Sequence, residues 1–109
     1  MARKPIQLRA LADQDLRQAA RQYHDTSPAL ADRFLARIEQ LVLHVQAHPA
    51  AGSLRYADAL DMPGLRCWPC RQFPWLVFYV EREHAIEIIR VLHARQDIPD
   101  TLQPDPWGD

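Results

Sequence analysis

Trp75-Leu76-Val77-Phe78-Tyr79-Val80, then Glu81-Arg82-Glu83-His84, then Ala85-Ile86-Glu87-Ile88-Ile89-Arg90-Val91-Leu92-His93 is the stretch that decides the fold. Two runs of β-branched, aromatic and aliphatic residues flank a short polar turn, which reads as an antiparallel hairpin. The second run is apolar at both odd and even positions, so it belongs in the interior of a sheet with both faces covered. Before it, Met62-Pro63-Gly64 forms a turn that leads into Leu65-Arg66-Cys67-Trp68-Pro69-Cys70. Pro69 has no N–H to give to a ladder, which confines that strand to an edge, a bulge or a short length.

The first half has a different period. Pro5-Ile6-Gln7-Leu8-Arg9-Ala10-Leu11 alternates apolar Ile6 and Leu8 with polar Gln7 and Arg9, the pattern of a short strand with one buried face. Leu16, Ala19, Ala20 and Tyr23 then recur at helical spacing, with Asp13 as the expected cap and Asp25-Thr26 as the end. Ser27-Pro28 begins a second helix, whose apolar face is Leu30, Phe34, Ile38, Leu41, Val42 and Val45. His48-Pro49-Ala50-Ala51-Gly52 stops it. The order is strand, two-helix hairpin, then a three-stranded antiparallel segment: an α+β domain with the helices packed on one face of an antiparallel sheet. Residues 1–98 read as one domain, and 99–109, with Pro99, Pro104 and Pro106, as a mobile acidic tail.

At 109 residues the chain has material for one core. Its 48% hydrophobic content excludes compositional disorder, and a net charge of −1 excludes a strongly basic nucleic-acid binder. No apolar run approaches the roughly 18 residues of a membrane span, and no secretory leader is visible. With only two cysteines, this points to a cytoplasmic protein with neither membrane nor direct nucleic-acid partners. Charge is nonetheless uneven. Residues 1–24 hold five bases and two acids, whereas Asp97 to Asp109 holds four acids and no base.

Cys67-Trp68-Pro69-Cys70 has redox spacing but lies in a strand, where the two Cα atoms would be roughly 10 Å apart at ~3.3 Å per residue. That exceeds the ~7 Å a disulfide tolerates, so ordinary strand cysteines are expected. His44 and His48 are four apart on the second helix, yet no acid completes a metalloprotease pattern, and histidine near a helix C-terminus is a common structural choice. No metal and no cofactor is therefore expected. The remaining cluster is Arg90, His93, Arg95 and Asp97 along the last strand, with Arg66 on an earlier one. A charge inside an apolar strand needs a partner, and Glu87 or Asp97 is the expected one for Arg90.

Leu65-Arg66, Trp68-Pro69, Leu76-Val77-Phe78-Tyr79 and above all Arg90-Val91-Leu92-His93-Ala94-Arg95-Gln96-Asp97 resemble the ParE branch of the RelE/ParE toxin superfamily. Ala12-x-x-Asp15-Leu16 and His48-Pro49-x-x-Gly52 are similar too, and the resemblance spans about residues 5 to 100. It implies a type II toxin that binds and inhibits DNA gyrase and is neutralised by a ParD-like antitoxin, without being an enzyme. The RelE branch instead cleaves messenger RNA on the ribosome. On that alternative Arg66, Arg90, His93 and Arg95 would be the catalytic set; an inactive interaction domain is the other alternative. The single lysine, Lys4, in a flexible position, and a tail without Tyr or His favour ParE. A helix or strand from the antitoxin is the expected partner element. Trp68, Arg71, Trp75, Arg95 and Trp107 are the expected residues for target or partner binding, since Trp and Arg dominate binding hot spots. For Trp75, core packing is the stronger expectation.

Overall fold

The computed structural model describes residues 3–96 and 98–102. Its elements are β1 (Ile6–Leu8), α1 (Ala10–Thr26), α2 (Pro28–Ala47), a 3-10 turn (Pro49–Ala51), β2 (Leu65–Pro69), β3 (Trp75–Glu81), β4 (Ile86–His93) and the short α3 (Ile98–Thr101). The sheet order is β1-β4-β3-β2. The α+β architecture and the helical hairpin match the sequence reading. The sheet is mixed, however: β2, β3 and β4 are antiparallel, while β1 runs parallel to β4. Two helices intervene between β1 and the rest of the sheet, which frees β1 from the antiparallel pairing a tight turn would impose.

Ser27 serves both helices. Its N–H donates to the Tyr23 carbonyl at 2.9 Å, ending α1, and its own carbonyl accepts from Leu30 at 3.1 Å, opening α2. Its side chain makes no cap bond. The break comes from Pro28, which disfavours helical backbone in the preceding residue and holds Ser27 extended at φ −166° and ψ 129°. At the other end α1 starts at Ala10 rather than after Asp13. Asp13 lies inside the first turn and pairs with Arg17 at 2.8 Å instead of capping.

Two apolar clusters lie on opposite faces of the sheet. On the helical side, Ala12 and Ala19 of α1 and Phe34, Ile38, Leu41 and Val45 of α2 pack on Val77, Tyr79, Ile86, Ile88 and Val91. On the other side, Leu65, Cys67, Phe78, Val80 and Leu92 are covered by Ala57 and Leu60 of the 53–64 segment and by Ile98 and Leu102. This double cover is the reason β4 is apolar at nearly every position. A bulge between the Phe78–Arg90 and Tyr79–Ile88 pairings leaves Ile89 as an extra residue, so Ile88 and Val91 both reach the helical cluster. The 53–64 segment, of which only the Met62-Pro63-Gly64 turn was read from sequence, supplies half of the second cover. Residues 99–102 were read as tail, yet Leu102 is 4% exposed within that cluster. The aliphatic residues flanking Pro99 find an uncovered sheet face, and burying them outweighs the local polarity.

β2 lies at the sheet edge, one of the three settings Pro69 allowed, and its free side is closed. Cys67 exchanges two 2.9 Å backbone bonds with Ser53, and Leu65 N–H donates to Met62 at 3.0 Å. At the opposite edge Ile6 is half-buried, but Leu8 is 44% exposed, contrary to the buried face its alternation suggested. The lone Lys4 is also not free: it bonds Glu81 at 2.9 Å and the Arg82 carbonyl at 2.7 Å.

Glu87 is the partner of Arg9 at 2.7 Å and Arg82 at 3.3 Å, not of Arg90. The bond from Arg9 is the main cause holding its carboxyl below the ordinary 4.5. A depressed carboxyl pKa stabilises the fold above the unfolded value and loses that stability as pH falls through the folded one. Glu87→Gln is therefore expected to lower stability at neutral pH and to flatten its decline below about pH 4.5. Urea midpoints measured from pH 7 to pH 3 check this. Parallel curves for the two proteins would contradict it.

Candidate functional site

The charge that interrupts β4 is fixed across the structure. Arg90 Nε and Nη2 donate to Asp15 Oδ2 and Oδ1 at 2.8 and 2.9 Å, a two-point pairing of α1 with the last strand. Asp15 Oδ2 also accepts the Val91 N–H at 3.0 Å. Asp15 thus satisfies a β4 N–H beyond the last β1 pairing at Ile88 as well as the guanidinium. The expected partners were Glu87, which is engaged elsewhere, and Asp97, which lies outside the described residues. Proximity in sequence suggested them, but the fold brings together residues 75 positions apart.

Beyond this pair, α1 and the end of the sheet form a groove of about 320 Å³, lined by Gln18, Gln22, Trp75, His93 and Gln96 besides Asp15 and Arg90. His93 stands edge-on to Trp75 with ring centres 5.2 Å apart. Its Nδ1 accepts the Arg95 N–H at 3.1 Å, which places the proton of the neutral ring on Nε2. Trp75 donates its indole N–H to the Tyr23 hydroxyl at 2.9 Å and packs on Phe34. It is half-buried and more a wall of the core than an exposed anchor.

Arg66 lies elsewhere. It donates to the Gly52 carbonyl at 2.8 Å, beside a knot in which Tyr79 Oη donates to Pro49 O at 2.9 Å and accepts from Gly52 N–H at 3.0 Å. The groove that holds Arg90 and His93 includes neither Arg66 nor Arg95. Of the four residues a ribonuclease reading would unite, two share the groove and two do not. Arg95 is exposed just past β4.

A second cleft, about 270 Å³, runs between α2 and the end of β2 and is lined by Arg37, Gln40, Leu41, His44, Trp68, Pro69 and Arg71. Trp68 and Arg71, both expected for partner binding, meet here. Trp68 is half-buried and edge-on to His44 at 4.7 Å. Sequence reading did not select Arg37, which bonds Gln72 at 3.2 Å and Gln40 at 3.0 Å. Nor did it foresee Asp15 as the partner of Arg90. Both sit on helices, where only the folded hairpin shows which polar positions face the sheet. Trp107 lies outside the described residues.

The C-x-x-C pair does no redox work in this geometry. Cys67 belongs to one cluster and Cys70 to the other, on opposite faces of the sheet, and both thiols are free. Burial pushes both above the ordinary thiol value of 9.0, away from a reactive thiolate. Among the described residues, no group of three or more His, Cys, Asp or Glu converges as a metal cage. No helix among them is long and apolar enough to cross a membrane.

The family model for the ParE toxin of the type II toxin–antitoxin system parDE matches residues 6–98, from the first residue of β1 to the first of α3. The chain belongs to the ParE toxin family. The ParE fold is also evident in a solved structure described as a chromosomal ParDE toxin–antitoxin system from P. aeruginosa. That chain is 20% identical with a TM-score of 0.71, and the alignment covers 84% of this chain and 97% of the other. At that identity the likeness establishes the shared fold. No curated protein matches the chain. The Arg90–Asp15 pair and the Gly52–Tyr79 knot both lie within the matched span of this ParE toxin.

Proposed function

We propose that this ParE-family chain acts as a non-enzymatic toxin that binds DNA gyrase, blocks replication, and is neutralised in the cytoplasm by direct binding of a ParD-like antitoxin. Beyond family membership, one observation carries this reading over RNA cleavage. Arg66 and Arg90, half of the set a RelE-like site would use, are engaged with Gly52 and Asp15 and hold the fold together. A transition state that develops negative charge needs cations free to meet it. Exposed Arg71 and Arg95, with Trp68 in its cleft, are the side chains best placed to touch gyrase or the antitoxin. Exposed Leu11 on α1 and Leu35 and Leu43 on α2 suit an amphipathic antitoxin helix. Chain freed of antitoxin is expected to abolish gyrase supercoiling with accumulation of linear DNA. Unchanged supercoiling together with ribosome-dependent cleavage of messenger RNA would overturn the proposal.

A further inference from the structure

His44 and His48 stand one turn apart near the C-terminal end of α2, both exposed, with ring centres 4.9 Å apart and planes inclined at 48°. Two imidazoles bound to one zinc-type ion, each nitrogen about 2.0–2.1 Å from the metal, bring their ring centres roughly 4.5–5 Å apart. The pair thus stands at chelating distance without backbone movement. Trp68 packs edge-on against His44 at 4.7 Å and restricts its ring, which lowers the ordering cost of binding. We propose that His44 and His48 form a two-imidazole site for a borderline divalent transition cation, at the rim of the cleft that Trp68 and Arg71 also line.

The surroundings select the class of ion. Arg37 and Arg71 line the cleft that His44 enters, and among the described residues no carboxylate lines it. Imidazole nitrogens without carboxylates among the described lining residues disfavour Ca²⁺ and Mg²⁺, which need carboxylate and carbonyl ligands. Cu²⁺, Ni²⁺ and Zn²⁺ form strong bonds to neutral imidazole and tolerate this setting, in the affinity order Cu²⁺ above Ni²⁺ and Zn²⁺. With two protein ligands the ion keeps open positions, which the nearby guanidiniums favour filling with an anion.

Trp68 supplies the readout. Cu²⁺ added to the untagged full-length chain at pH 7.5 is expected to quench tryptophan fluorescence with one-to-one saturation. Equal concentrations of Ca²⁺ or Mg²⁺ should leave it unchanged. His44→Ala and His48→Ala should each weaken Cu²⁺ binding at least tenfold, and His84→Ala, on the β3–β4 turn, should not. Under Zn²⁺ the His44 and His48 imidazole NMR signals should shift together, a result independent of quenching through Trp75. Unaltered affinity in the His44→Ala/His48→Ala double variant, shown folded by circular dichroism, would overturn the site. So would Zn²⁺ shifts confined to other histidines.

Discussion

Gly52→Ala is expected to destabilise the toxin by about 2–5 kcal/mol, the sum of overpacking and disrupted buried hydrogen bonds. A methyl group at Gly52 would overlap the phenol oxygen of fully buried Tyr79 and touch its ring. Backbone conformation is not the reason: Gly52 sits at φ −68° and ψ 157°, open to any residue. The constraint is the close approach of backbone and phenol, through which Tyr79 ties β3 to the turn after α2. Tyr79→Phe removes the oxygen and should cost about 1–2 kcal/mol by itself. In the Gly52→Ala background the same change should cost less or even stabilise, because it removes the atom the methyl meets. Chemical denaturation of the four proteins measures this. A Gly52→Ala chain within about 0.5 kcal/mol of the parent would refute the account.

Removing Arg90 should cost nearly as much. Asp15 and Arg90 side chains are 11% and 19% exposed, and Arg90→Ala leaves the carboxylate with the Val91 N–H in place of its cation. Breaking a buried pair from one side costs about 3–5 kcal/mol, and the residual exposure places this one near the lower end. Asp15→Asn retains an acceptor for Val91 and should cost less. Replacing both partners with apolar residues, as in Asp15→Leu/Arg90→Met, leaves no charge uncompensated and should recover part of the loss, the remainder being the Val91 N–H left without its acceptor. The same double variant separates structure from function. On the proposed gyrase inhibition, an Arg90 that serves the fold alone leaves the variant as inhibitory as the parent at equal folded concentration. A stable double variant that no longer acts on gyrase would place Arg90 on the target surface.

The α2 face from Phe34 to Val45 and the antiparallel pairing of β2, β3 and β4 were readable because each follows from local periodicity and a nearby turn. The ParE resemblance was carried by the β4 ending, a contiguous run in which local order survives folding. The site was less legible. Arg90 announced itself as a charge needing a partner, but its partner came from a helix 75 residues earlier. Trp68 and Arg71 were selected by type, and the cleft that unites them with Arg37 and His44 depends on how α2 crosses the end of β2.

Sequence alone determined the order of elements, the helical hairpin broken at Ser27-Pro28, the interior place of β4 and the limits Pro69 puts on β2. Each is set by residues within one or two turns, through periodicity, φ restriction or a missing N–H. Tertiary structure alone decided the parallel seat of β1, the cover of the second sheet face by the 53–64 segment and Leu102, and the pairing of Asp15 with Arg90. Those outcomes depend on which distant surfaces must be removed from water and which buried charges must meet. Nothing local in the chain encodes either.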